Sequence, residues 1–369
     1  MKFLKFLVLY PVSLIYGLVI RIRNFMFDYG MLKSEEFDIP VIAVGNITVG
    51  GTGKTPTVEY LIYLLRNKYS IAVLSRGYKR QTKGFILADE NASVENIGDE
   101  PYQIFLKFPD ITVAVDEKRV HGIQNLLKSE KKIDLILLDD AFQHRYVKPG
   151  LSILLIDYTQ PFLNDHYLPL GRLRDNPEER HRAEIILVTK TPKTIKPIDM
   201  RIIATDLSLK PYQSLFFSAI EYKGLMPVFE NEIFALDTET IKSENYAVLI
   251  VTGIGNPTPI IDYCKRLTDE LNVLSYSDHY QYTEKDIERI TKEFYSSELK
   301  NTIVVTTEKD AVRLKRLRFS DELLKKSVFY YPIEMSILNN DKAELDKLIH
   351  HFIEKSNAQY RFLTSKKNY

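Results

Sequence analysis

The residues best suited to chemistry sit in one short run, Thr48-Val49-Gly50-Gly51-Thr52-Gly53-Lys54-Thr55. Backbone N–H groups at glycines can turn onto phosphate oxygens, because no Cβ blocks the approach. Lys54 beside them would reach the outer phosphates of a nucleotide, and the Thr55 hydroxyl would ligate Mg²⁺. An apolar strand at 40–44 enters the run, and an amphipathic helix starting near residue 54 leaves it. The helix N-terminus adds partial positive charge where phosphate would lie. The common form of such a loop begins on a glycine, and that place is held here by Thr48. The competing reading is a glycine-rich turn capping an ordinary βα unit.

Acids follow at a useful spacing. Residues 135–138 are apolar and end in Asp139-Asp140, so a strand would carry two carboxylates to the edge where the loop lies. Such a pair can hold Mg²⁺ directly or through water, although an aspartate at a strand end can also cap a helix. Gly98-Asp99-Glu100-Pro101 offers a second acidic pair in a turn. Phosphoryl transfer to an alcohol needs a group to accept the hydroxyl proton, and Asp99 is a candidate. The plain alternative is a solvated turn that starts a helix. Arg76, Arg119, Arg172 and Arg174 lie in or beside loops after apolar runs, where a guanidinium fork can hold phosphate oxygens.

The elements that must position these groups are short apolar strands alternating with helical stretches. Strand patterns fall at 71–75, 111–115, 135–138, 153–157 and 185–189, with helical patterns at 57–66 and 117–127. This alternation predicts an α/β fold with a parallel sheet covered by helices on both faces, of P-loop NTPase type. Ligands then bind at the carboxyl ends of the strands. Near residue 212 the pattern changes: 213–222 and 226–234 read as a β-ribbon around Lys223-Gly224, and a second αβ set follows from 247 to a closing helix at 341–353. The expected organisation is an N-terminal helix (1–24), a P-loop domain (25–211), a β-ribbon hinge (212–235) and a smaller α/β lobe (236–369). Gly253-Ile254-Gly255-Asn256-Pro257 lacks a third glycine and a lysine, so it reads as a tight strand-to-helix turn.

Composition narrows the setting. The chain has 369 residues, a formal net charge of +1 and a single cysteine, Cys264. The length admits two domains, no charge excess argues for a nucleic-acid partner, and no internal disulfide can form. Residues 3–20 are apolar apart from Lys5, Ser13 and Gly17, and Arg21 and Arg23 follow. The uncharged part is short of the roughly 20 residues that cross a bilayer. A signal peptide lacks its small-residue cleavage site here, and a buried core helix is a second possibility. The preferred reading is a helix inserted part way into a membrane surface, with tyrosines at the interface and basic residues at anionic headgroups.

Taken together, these blocks resemble the tetraacyldisaccharide 4'-kinase family of lipid A synthesis. The resemblance rests on the loop from Val44 to Pro56, Ser75-Arg76-Gly77-Tyr78, Gly98-Asp99-Glu100-Pro101 and Asp139-Asp140-Ala141-Phe142-Gln143-His144-Arg145. It continues through Pro169-Leu170-Gly171-Arg172-Leu173-Arg174, Asp278-His279 and Thr306-Thr307-Glu308-Lys309-Asp310. Thr48 in the first loop position also fits that family. The resemblance implies an ATP- and Mg²⁺-dependent kinase that phosphorylates the 4'-hydroxyl of a tetraacylated disaccharide 1-phosphate, giving lipid IVA. It implies attachment through the N-terminal helix to the cytoplasmic face of the bacterial inner membrane, and a two-stranded hinge that lets the lobes close and exclude water; separately, a monomer is expected. By motif position, Asp99 would accept the proton, assisted by His279. Lys54 and Thr55 would bind phosphates and metal, and Asp139 and Asp140 would organise the metal. Tyr78, Glu100, Arg119, Gln143, His144, Arg174 and Asp175 would line the site. Two positions depart from the family pattern: Asp175 stands where Glu is expected, and Tyr280 where a second histidine is common.

Two other classes remain to be separated. A regulatory GTPase would want Asn/Thr-Lys-x-Asp after a strand, and Val188-Thr189-Lys190-Thr191-Pro192 begins that way without the acid. A non-catalytic membrane-bound binding protein would show no ATP-dependent labelling.

Overall fold

The structure, a computed structural model, describes residues 2–229, 236–278, 280–296 and 301–367. It divides into two compact units, Met1–Ile220 with Met335–Tyr369, and Glu221–Glu334.

The first unit is built on β1 (Val41–Asn46), β2 (Ile71–Ser75), β3 (Ile86–Leu87), β4 (Thr112–Val115), β5 (Leu135–Asp139), β6 (Leu151–Asp157), β7 (Ile185–Thr189) and β8 (Ser214–Tyr222). The second carries β9 (Met226–Pro227), β10 (Ala247–Thr252), β11 (Leu271–Ser275), β12 (Thr302–Thr307) and β13 (Val328–Tyr331). The chain then returns to the large sheet as β14 (Ile333–Ile337). That nine-stranded sheet runs β14-β8-β7-β6-β1-β5-β2-β4-β3. From β4 to β8 the neighbours pair in parallel, and β3 lies antiparallel at one edge.

Parallel pairing explains the sequence pattern. Every residue of β1, β2, β5, β6 and β7 is buried, so both faces must be apolar rather than alternating. On one face Val44, Leu137, Ile153 and Leu187 pack with the helix Lys54–Leu65, which contributes Val58, Leu61, Ile62 and Leu65. On the other, Ala43, Leu74, Ile136 and Leu138 meet Ile123 and Leu126 of the helix Arg119–Lys128. The strand order reverses direction at β1, whose neighbours are β5 and β6, so β1 sits at the switch point where such sheets bind ligands.

Two boundaries differ from the sequence reading. Residues 213–222 do not form half of a ribbon: they are β8, parallel to β7, with Phe216 and Phe217 buried in separate cores on opposite faces. A strand apolar on both faces belongs inside a sheet, and a ribbon would leave one face wet. The partner segment at 226–234 begins as β9, which pairs with β13 in the second sheet, and residues 230–235 lie outside the described residues. The chain passes from the first unit to the second within β8 and returns within β14, its neighbour in the large sheet. The second correction concerns the closing helix. Leu345, Ile349 and Ile353, spaced on one helical face, are buried in the core of the first unit, so residues from Met335 onward do not belong with the smaller lobe.

The second unit is a five-stranded sheet, β11-β10-β12-β13-β9, parallel except for β9. The Gly253–Pro257 turn leads from β10 into the helix Thr258–Cys264, as expected.

The N-terminal helix runs Lys2–Asp28. Its stretch Phe6–Asp28 is long and apolar enough to cross a membrane by length and composition. Leu7, Val8, Leu14, Ile15, Leu18 and Val19 point outward and are more than half exposed.

Candidate active site

The glycine-rich run forms a loop between β1 and the helix that begins at Lys54. Gly53, directly before that helix, has φ +86°, a left-handed conformation that side chains resist. Its carbonyl accepts Thr57 N at 3.1 Å and Thr57 Oγ1 at 2.8 Å, which closes the first turn. Space is open beside the α-carbons of Gly50 and Gly51, where a Cβ would otherwise stand. The loop is braced from outside: Thr189 Oγ1 at the end of β7 donates to Thr52 O at 2.8 Å. Segment 165–175 adds two further contacts, Val49 N to Arg172 O and Arg174 N to Ile47 O, both 2.8 Å. Thr189-Lys190, read earlier against a guanine motif, thus serves the loop, and Lys190 pairs with Asp157 at 2.6 Å.

β5 delivers its acids beside this loop, because β1 and β5 pair directly with Val44 opposite Asp139. Asp139 is buried; Ser75 Oγ at the end of β2 donates to its Oδ2 at 3.3 Å, while its Oδ1 has no hydrogen-bond partner among the described residues. Burial raises its carboxyl to about 7, with Glu100 and Asp140 adding and Lys54 and Arg119 opposing. Asp140 leaves the strand in a left-handed turn, φ +48°, and is half-buried. Burial would raise it too, but the Lys54 and Arg174 cations overcome that and hold it well below the usual carboxylate range. Lys54 Nζ lies 3.7 Å from Asp140 Oδ1, and Arg174 Nη2 donates to the same oxygen at 2.8 Å.

Asn46 was not singled out from sequence. It is fully buried; its side-chain oxygen accepts from Arg174 Nη2 and its carbonyl accepts Gln143 Nε2 at 2.6 Å. Its signals in the sequence were its place at the end of the strand, ahead of the loop, and its inclusion in the run from Val44 to Pro56 that carries the resemblance. Gln143 and Arg174 are therefore brought together on Asn46, at the root of the loop.

Arg119 behaves differently from a free anion-binding fork. It is 2% exposed and donates to the carbonyls of Asp116 at 2.5 Å and Asp139 at 3.0 Å. Burial lowers its pKa to about 10, with Asp139 and Asp140 opposing. It fastens the end of β5 to the loop after β4. Asp175 also departs from expectation: it is buried and accepts Asn24 Nδ2 at 2.7 Å, so it faces the N-terminal helix.

Asp99 begins the helix Asp99–Lys107. Gly98 precedes it with φ +91°, and a Cβ there would lie 3.1 Å from the carbonyl oxygen of Tyr78. The Tyr78 and Asp99 turns are thus packed together. The same helix is tied to the phosphate-loop helix by buried Glu59, which takes Lys107 Nζ at 2.7 Å and Gln103 Nε2 at 3.0 Å. This sets Asp99 and Lys54 on coupled supports. Glu100 acts on Asp139 through its charge. His279 lies outside the described residues, while Asp278 is in the second unit with Oδ2 near Gly255.

His144 sits amid this positive field. Burial lowers its pKa to about 4, and Arg119 and Arg76 push the same way. The unfolded chain, with an ordinary histidine near 6.5, binds the extra proton first, so stability is complete above that pH and falls as pH drops towards 4. The loss is up to about 3 kcal/mol. His144→Gln should flatten the fall in urea midpoint between pH 7 and pH 4.5; parallel pH profiles for the two proteins would contradict this.

A glycine loop at the switch strand, with acids arriving from the strand beside it, defines a P-loop protein of the phosphoryl-transferring class. Residues 5–354 match the family described as Tetraacyldisaccharide-1-P 4'-kinase. The tetraacyldisaccharide 4'-kinase of Bacteroides thetaiotaomicron is 47% identical over 360 residues, covering 96% of this chain and 95% of that protein. Its namesake from Flavobacterium johnsoniae is 45% identical over 335 residues, covering 91% and 94%. The crystal structure of LpxK from Aquifex aeolicus in complex with ATP has a TM-score of 0.72 at 28% identity, covering 96% of this chain and all of that one. The chain belongs to the tetraacyldisaccharide 4'-kinase family.

Proposed function

We propose that this protein transfers the γ-phosphoryl group of ATP to the 4'-hydroxyl of tetraacyldisaccharide 1-phosphate, forming lipid IVA in lipid A biosynthesis. The observation that carries this is the Lys54–Asp140–Arg174 cluster on the glycine loop, in a chain of this family. The residues present suit a nucleotide and its metal. Open space over Gly50 and Gly51 suits phosphate oxygens, and the orphaned buried Oδ1 of Asp139 suits a cation. Thr55, Asp139 and Asp140 would hold Mg²⁺, and bound Mg-ATP would supply the phosphoryl group.

The chain's own residues do the rest. Loop N–H groups and Lys54 bind and orient the phosphates. Asp140 keeps Lys54 and Arg174 side by side, so two cations face the developing charge together. Asp99 accepts the hydroxyl proton, with His279 as the assisting group that the family resemblance gives it. Tyr78, Glu100, Gln143 and His144 line the surroundings; Arg119 and Asp175 brace them.

The test is incubation with labelled ATP and the disaccharide 1-phosphate in detergent micelles. Label in the lipid is expected, and rapid ATP hydrolysis with no label in the lipid would sink the proposal.

The outward face of the N-terminal helix would seat the protein on the cytoplasmic face of the inner membrane. Its apolar side chains suit the acyl boundary, and Arg21 suits anionic headgroups. Deleting residues 1–24 should abolish flotation with anionic liposomes; if the truncated protein still floats, the anchor lies elsewhere.

A further inference from the structure

Segment 165–175 is gripped from two sides. On one side it borders the phosphate loop, through the Val49–Arg172 and Ile47–Arg174 hydrogen bonds and a bridge between Thr48 and Leu173. On the other it meets the N-terminal helix. Ser13 Oγ donates to Tyr167 O at 2.7 Å, and Tyr16 OH donates to Arg174 O at 3.2 Å. Gly17 lies so close that a Cβ there would stand 2.5 Å from the Tyr167 ring. The last grip is buried: Asn24, 3% exposed, donates to the Oδ1 of Asp175, 1% exposed, and that oxygen also accepts Asn176 N at 2.8 Å.

The same helix holds the segment after β5. Arg23 Nη2 donates to Gln143 O at 3.1 Å, and Arg145 Nη1 donates to Asn24 O at 3.2 Å. Arg182 spans the two held segments, 3.7 Å from Asp175 Oδ2 and donating to Phe142 O at 2.9 Å. Both stretches that carry Arg174, Asp140 and Gln143 are therefore referenced to one helix.

An anchor alone requires only the outward apolar face. A buried carboxylate must be hydrogen-bonded and paired, and Asp175 meets that need with Asn24, Asn176 N–H and Arg182, a fully specified network that fixes one local arrangement. Asn24 lies in the C-terminal part of the helix, and its partner Asp175 is next in sequence to Arg174.

We propose that the N-terminal helix is a positioning element of the phosphate site, with Asn24–Asp175 as the joint that sets Arg174 and, through it, Asp140 and Lys54. Asn24 and Asp175 are positioning residues that act through Arg174. This inference rests on the kinase reading and assigns the helix a task separable from membrane attachment.

The experiment uses the full-length chain. Wild type, Asn24→Leu, Asn24→Gln, Asp175→Asn and the exchange Asn24→Asp with Asp175→Asn are assayed for kcat and KM in micelles, melting temperature and liposome flotation. Asn24→Leu should lower kcat about tenfold, as a small displacement of a charged catalytic group does, with flotation unchanged. The exchange, which restores an amide-to-carboxylate bond in the reverse sense, should recover kcat to within about threefold of wild type. Should Asn24→Leu fail to fold, Asn24→Gln keeps the amide one methylene out of place. A lowered kcat at an unchanged melting temperature then supports the inference. Wild-type kcat in the folded Asn24 variants, losses that track flotation, or an exchange no better than the single variants would overturn it. Those outcomes leave wild-type transfer intact, whereas a wild type that labels no lipid overturns the kinase reading itself.

Discussion

Lys54→Ala should lower kcat/KM for ATP by about 10³-fold, with a melting temperature close to wild type. Lys54 is the one side chain that both starts the helix after the loop and lies over the Asp140 carboxylate. Its ammonium is a compact charge placed before the nucleotide arrives, so removing it loses stabilisation that water cannot replace in a partly closed site. One such preorganised donor is worth about 10² to 10³ in rate, and weaker nucleotide binding adds to the loss. Stability should hold because Lys54 is partly exposed and Arg174 still pairs Asp140 at 2.8 Å. Steady-state kinetics with thermal melting checks both halves; full activity in the alanine variant would remove the loop from the mechanism.

Asp99→Ala should show the opposite signature. The turnover number should fall about 10² to 10⁴-fold, the range for a lost general base, while the dissociation constant for ATP stays within about threefold of wild type. The reasoning is spatial. Asp99 heads a helix locked to the phosphate-loop helix through Glu59 and Lys107, beside the loop rather than within it. It can reach a hydroxyl without being needed to hold phosphates. Nucleotide titration by calorimetry alongside the lipid-labelling assay separates the two effects. An equal fall in ATP affinity would assign Asp99 to the nucleotide.

Much of the molecule was legible because it is local. Gly50, Gly51, Gly53, Lys54 and Thr55 must be neighbours in sequence to form one loop, so reading them in order reads the site. The buried strands were legible for a related reason. A parallel strand covered on both faces is apolar throughout, as in Leu135 to Leu138, and its last residues mark the ligand edge.

The places where sequence reading went astray share a cause. Apolar spacing reports that a face is buried and not what buries it. Leu345, Ile349 and Ile353 announce an amphipathic helix, yet nothing local says that their partners are Leu61, Leu151 and Phe216 of the first unit. Phe216 and Phe217 suit a ribbon or an interior strand, and only the pairing of β8 with β7 decides.

By itself, the sequence determined the phosphate loop, the paired acids after an apolar strand and the parallel α/β architecture, since each follows from contiguous residues and short-range sterics. Tertiary structure alone decided which charges work together. Lys54, Asp140 and Arg174 are up to 120 residues apart yet share one carboxylate, because β1 and β5 are paired neighbours and segment 165–175 lies along the loop. It also decided that Asn24 answers Asp175 across 151 positions. A side chain's hydrogen-bond partner is set by the packing of whole elements, and no local pattern encodes it.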